Sequence, residues 1–137
     1  MSTHLSHLTA SAVVLAAGAG RTFLVRVGEY SRWGLVGSHV DSGEPLAEAV
    51  RREVREQTGL TRFRVVEPHL AVQQDLVDCG HGESLHVDHV FAVLADAPSG
   101  TDYETAGWFA LDELPEPLVP GVRMHIRSAV HAVFDEQ

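Results

Sequence analysis

The stretch Gly37-Ser38-His39-Val40-Asp41-Ser42-Gly43-Glu44-Pro45-Leu46-Ala47-Glu48-Ala49-Val50-Arg51-Arg52-Glu53-Val54-Arg55-Glu56-Gln57-Thr58-Gly59-Leu60 decides how this chain is read. Residues 45–58 predict a helix, with Pro45 where a first turn tolerates it and Gly59 as the stop. Stepping about 100° per residue from Leu46 puts Val50 and Val54 on one stripe. The same arithmetic places Glu53 and Gln57 within that stripe. An unpaired buried carboxylate costs several kcal/mol, so Glu53 needs a counter-charge. Glu56 lies three residues on, and Glu44 approaches from the preceding loop. Such converging acids repel one another unless Arg52 or a divalent cation neutralises them, and hard oxygen donors suit magnesium or manganese.

With these residues in place, the stretch resembles the Nudix box, G-x5-E-x7-R-E-U-x-E-E-x-G-U, where U is apolar. Glu44, Arg52, Glu53, Glu56 and Gly59 match at the required spacing, and Val54 and Leu60 fill the apolar places. A chance match with two mismatches has a likelihood of about one in several thousand at ordinary residue frequencies. Outside the box, Trp33-Gly34-Leu35-Val36-Gly37 is similar to the family's W-x-x-P-G approach. Residues 108–114, from Trp108 to Leu114, are similar to its W-x-x-x-x-E-L close.

The resemblance implies an α/β/α sandwich with a mixed β-sheet. It also implies metal-assisted hydrolysis of a phosphoanhydride in a nucleoside diphosphate derivative or related small metabolite, with Mg2+ as the cation and Mn2+ as the alternative. By the same resemblance Glu53 and Glu56 hold the metal, and Glu53 is also a candidate for activating water. Arg52 orients the acids by ion pairing, Glu44 supports it, and Gly37 and Ser38 bring backbone carbonyls near the metal. Glu104, four residues before Trp108, is the candidate for a further acid outside the box.

Two fixed positions depart from the pattern. Ser38 replaces a Gly, so the loop either avoids φ > 0 or loses roughly 1 kcal/mol or more. Gln57 replaces the second consecutive Glu, usually a metal ligand, so an amide takes a carboxylate's place and metal affinity should fall. These departures motivate an alternative function, a catalytically impaired nucleotide-binding or sensing module. A related prenyl diphosphate isomerase would want a cysteine deep in the cleft, whereas Cys79 sits beside Gly80 in an expected turn.

Elsewhere, β-rich runs at residues 11–16 and 22–27 flank Gly18-Ala19-Gly20 as a hairpin. Residues 63–66, 69–77, 86–94 and 106–110 read as further strands, and 34–43 as a Gly- and Ser-rich connection. Residues 122–134 repeat apolar side chains at helical spacing. With no repeat or linker in 137 residues, a single domain over 1–137 is expected.

Ten basic against 19 acidic residues give a net charge of −9, which disfavours a nucleic-acid polymer as partner. All basic residues are Arg, so neither a P-loop lysine nor a lysine Schiff base exists. One cysteine and no apolar run of membrane length lead to the expectation of a cytoplasmic protein with no membrane partner. A homodimer is the commonest assembly to expect.

His86, Asp88 and His89 with Cys79 and His81 make a weak zinc pattern, because His89 points to the other face of a strand from His86 and Asp88. A substrate-side role suits His86 or Asp88 better than zinc, with strand packing and hydrogen bonding as the default reading, and His39 in the box loop reads either as a phosphate contact or as an exposed histidine with no function. Trp33 and Trp108 read as core anchors before base-stacking platforms.

Overall fold

The computed structural model describes residues 5–18, 20–28, 31–78, 83–96 and 105–135. The chain runs β1 (Leu5–Ala16), β2 (Arg21–Val27), β3 (Arg32–Gly34), β4 (Val36–His39), α1 (Leu46–Thr58), β5 (Phe63–Asp78), β6 (Glu83–Ala95), β7 (Ala106–Ala110) and α2 (Val122–Val130). A π-helical turn, His131–Asp135, extends α2. Among the described residues no helix is long and apolar enough to cross a membrane.

The central strand is legible from its composition. Ala12, Val13, Val14, Leu15 and Ala16 are all buried, as a run apolar on both faces requires when helices cover both sides of a sheet. Each fully buried Val or Leu contributes about 1.5–3 kcal/mol, which fixes β1 in the middle. It pairs in parallel with β6 and antiparallel with β2 and β4, and the path of the sheet is β3-β2-β1-β6-β5 with β4 on β1 and β7 on β2. This is a mixed sheet of the α/β class.

Alternation along β1 sorts the two layers. Ala10, Ala12 and Val14 face Val50 and Val54 of α1. Val13 and Leu15 join Val122, Ile126 and Ala129 of α2, with Trp33. The tryptophans pack as core anchors: Trp33 meets Phe109 edge to face at 4.8 Å, and Trp108 meets Phe23 at 5.4 Å.

Three expectations need correction. The connection at 34–43 contains β4, because this short polar segment gains its ladder from β1 and needs no apolar run of its own. The strands expected at 63–66 and 69–77 are one strand, with an irregularity in register between Val66 and Ala71. The helix expected to Phe134 leaves α geometry after Val130.

Candidate functional site

The site begins at α1. Pro45 is its N-cap and Gly59, at φ 77°, closes it with an N–H to Arg55 carbonyl bond, the left-handed ending that glycine accepts without strain. The Thr58 hydroxyl donates to Val54 O and accepts from Leu60 N. So anchored, the helix buries Ala49, Val50, Val54 and also Glu53, which is only 6% exposed.

The counter-charge expected for Glu53 is Arg52. Its Nη1 donates to Glu53 Oε1, while its Nε and Nη2 donate to the two oxygens of Glu44 at 3.0 and 2.9 Å. This fork ties the loop to the helix, and Nη2 also reaches the His39 carbonyl at 3.3 Å. Glu44 in turn accepts from the Asp41 backbone N–H at 3.0 Å. Hydrogen bonding to Arg52, then to Asp41, holds the Glu44 carboxyl below its usual range, and the Glu44 bond pushes the Arg52 guanidinium further up. Both groups stay charged across the working pH range.

Gln57 joins the helix to β4. Its Nε2 donates to Glu53 Oε2 at 2.5 Å and to the Gly37 carbonyl at 3.1 Å. Two of the oxygens expected at the cation site therefore converge on one point, held by an amide. Glu56 is exposed on the same helix, one turn beyond Glu53. Gly37 is required by closeness and not by φ: a Cβ there would lie 2.6 Å from Ala10 O and 2.7 Å from Ser11 Oγ. Ser38 lies in β4 and is not among the positive-φ residues, so this departure from Gly carries no left-handed strain.

Next to Ser38 a cleft of about 380 Å3 opens over the sheet, lined by Thr9, Ser11, His39, Asp75, His86 and Asp88. Asp88 sits at its floor and accepts from Thr9 Oγ1 at 3.0 Å and from Ser11 Oγ at 2.9 Å. Ser11, Val27 and Asp88 also line a smaller recess of about 150 Å3 that reaches Gln73 and His125. There His125 Nε2 lies 2.8 Å from Gln73 Oε1, a carbonyl oxygen that can only accept, so the ring donates from Nε2. Burial pushes the His125 pKa down, against a smaller upward pull from Asp88. Burial also lowers His86, with His39 and His7 acting in the same direction. A larger recess of about 610 Å3 along α2, walled by Leu111, Leu114, Ile126 and Arg127, shares no residue with this set and, among the described residues, holds no carboxylate.

The structure brings Glu44, Arg52, Glu53, Gln57 and Gly37 together, with Ser38 beside them and Glu56 on the exposed flank. His86 and Asp88 share the cleft. His89 faces away, 5.1 Å from His69, whose ring also meets Phe91 at 5.7 Å. Glu104, Cys79 and His81 lie outside the described residues. Sequence reasoning missed His7, Thr9, Ser11, Gln73 and His125. The first three lie where β1 is polar, before the apolar run that announces the strand. Only period-two extension back from Val13 could have flagged Thr9 and Ser11 as cleft-facing.

The chain matches the NUDIX domain over residues 5–129. Among solved structures it is similar to a MutT NUDIX hydrolase from Burkholderia pseudomallei, with 30% identity and a TM-score of 0.64, covering 91% of this chain and 98% of that one. A NUDIX-family hydrolase from Clostridium perfringens shares the fold at 15% identity and TM-score 0.72, over 93% and 98% of the two chains. The NUDIX domain of Shewanella oneidensis NrtR, complexed with ADP ribose, does so at 19% identity and TM-score 0.66, over 97% and 90%.

Proposed function

The chain belongs to the Nudix family, and from that premise we propose that it is a metal-dependent hydrolase of a phosphoanhydride in a nucleoside diphosphate derivative or related small metabolite. One observation carries this reading: Glu53 Oε2 and the Gly37 carbonyl face a common point, spanned by the Gln57 amide.

The donor set fits a magnesium-class cation. Glu53, Glu56, the Gly37 and Ser38 carbonyls and, after rotation of its amide, Gln57 Oε1 would hold it, all hard oxygens. When bound, such a cation neutralises clustered diphosphate charge and orients phosphorus and water for in-line attack. The chain's own residues do the rest. Arg52 keeps Glu53 aimed by donating to its Oε1, and Glu44 keeps Arg52 in register with the loop. A carboxylate held this way can take a proton from water at Oε2 once the Gln57 amide has turned away from it. The cleft over Thr9, Ser11 and Asp88 receives the group attached to the diphosphate, and its carboxylate and hydroxyls suit hydroxyl- or amino-bearing partners. Glu104 is proposed as a further acid from its place in the sequence alone. We place the reaction in the cytoplasm.

A second reading draws on the same contact. The Gln57 amide already satisfies both Glu53 and Gly37, which suits a module that binds a nucleotide without turning it over. The complex of the Shewanella domain with ADP ribose shows a NUDIX domain holding such a ligand. The deciding experiment screens nucleoside triphosphates, nucleotide sugars, ADP-ribose and dinucleoside polyphosphates with Mg2+ and Mn2+, beside a Glu53→Gln control. Release of phosphate or nucleotide that E53Q abolishes supports hydrolysis. Tight binding with no product from any substrate supports the module and overturns the enzyme.

A further inference from the structure

Three histidines from three neighbouring strands meet at the rim of the cleft, and the sheet's register explains why. His7 of β1 is the parallel partner of His86 on β6, and Thr9, two residues along the same face, is the antiparallel partner of His39 on β4. All three side chains therefore project from one side of the sheet. The ring centroids lie 4.9 Å (His7 to His39), 5.1 Å (His39 to His86) and 5.4 Å (His7 to His86) apart. One ligand atom from each falls within 4.8 Å of the other two.

We propose that His7, His39 and His86 form a binding site for a zinc-class divalent transition metal, separate from the carboxylate site on α1. Imidazole nitrogen is the borderline donor such ions select, whereas magnesium prefers the oxygens of Glu53 and Glu56. The geometry is close to what coordination needs. Zinc–nitrogen bonds of about 2.0–2.1 Å in a tetrahedron place ligand nitrogens roughly 3.3 Å apart. His7 Nδ1 and His39 Nε2 are already 3.1 Å apart, and small ring rotations close the remaining separations.

A second observation points the same way. His86 Nε2 is sealed from solvent and has no hydrogen-bond partner, an arrangement that is unfavourable unless something binds it. Asp75, the cross-strand partner of His86, lines the same cleft and offers a nearby carboxylate, the usual companion of metal-bound histidine. Three imidazoles beside an open cleft correspond to the zinc arrangement that leaves a fourth position for water or an anionic ligand.

The test uses the untagged full chain in excess Mg2+, so that the oxygen site is occupied by the harder ion, and measures Zn2+ uptake by calorimetry and metal analysis after dialysis. One Zn2+ per chain is expected. H39A, at an exposed position chosen to preserve the fold, should weaken binding by about 100-fold or more, while E53Q leaves it unchanged. Imidazole nitrogen NMR shifts on adding Zn2+ should involve His7, His39 and His86 in the unaltered chain, which needs no variant to fold. Absence of uptake overturns the proposal. So do equal uptake by H39A, loss of uptake in E53Q, or shifts confined to other histidines such as His69 and His89.

Discussion

Gln57 donates its amide to Glu53 across one turn of α1 at 2.5 Å, and the same nitrogen reaches the Gly37 carbonyl at 3.1 Å. A side chain standing where the Nudix pattern has a carboxylate thus acts as an internal cross-link between helix and strand. It replaces part of what a cation would do for two facing oxygens, without the cation's charge.

Q57E should therefore shift stability from an internal bond to an external ion. Without metal its Tm should fall, because two carboxylates then face each other and the bond to Gly37 is lost. Added Mg2+ should raise its Tm more than that of the unaltered chain, with at least about 10-fold tighter binding by calorimetry. A Tm indifferent to Mg2+ in Q57E would contradict the assignment of this corner as a cation site.

R52A should lower Tm by roughly 5–10 °C, because it strands buried Glu53 and frees Glu44 together with its loop. R52K should fall between R52A and the unaltered chain, since one ammonium cannot reproduce a fork to two carboxylates. Thermal melts of the three proteins check the order. An R52K equal to R52A would show that charge without planar geometry contributes nothing.

G37A and G43A separate two reasons for glycine. At Gly37 a Cβ meets Ala10 O at 2.6 Å, so β4 must move away from β1. The expected loss is about 2–3 kcal/mol, with reduced activity. At Gly43, φ is +79° and nothing lies within 4 Å, so Ala costs only the left-handed conformation, about 1 kcal/mol. Urea unfolding midpoints should rank G37A below G43A.

His125 gives a signed pH dependence. Burial depresses its folded pKa from the ordinary 6.5, with a partial upward pull from Asp88, so below pH 6.5 the unfolded chain binds the proton and the folded chain resists it. Its contribution to stability is complete above about 6.5 and is lost progressively as pH falls toward the depressed folded value. H125Q removes this titration. Between pH 7 and 5 the unaltered chain should lose more stability than H125Q, measured as the difference between their unfolding midpoints. Equal losses would place the buried proton elsewhere.

The legible parts of this protein share a physical cause. Residues 45–59 announce a helix because Pro45, Gly59 and the apolar stripe act within a single turn or two. The central strand shows in the run from Ala12 to Ala16 because burial on both faces leaves no polar position. β4 and the early part of β1 were not legible in this way, since their stability comes from pairing with partners far along the chain. The proximity of Glu53 and Glu56 could be argued from helix geometry alone, whereas the pairing of Arg52 with Glu53, its sequence neighbour, was implied by the resemblance. The contact of Gln57 with Gly37 could be argued from neither, because it depends on where β4 lies.

Local chemistry, then, was written into the order of residues: a capped helix with an acid on its buried stripe, a doubly covered strand, and a box of known spacing. Their meeting with His7, Thr9, Ser11, Gln73 and His125 was decided by tertiary structure. Parallel pairing of β1 with β6 joins positions 79 residues apart, such as His7 and His86. Register across a sheet is set by the burial of whole faces together, and no single segment carries that information by itself.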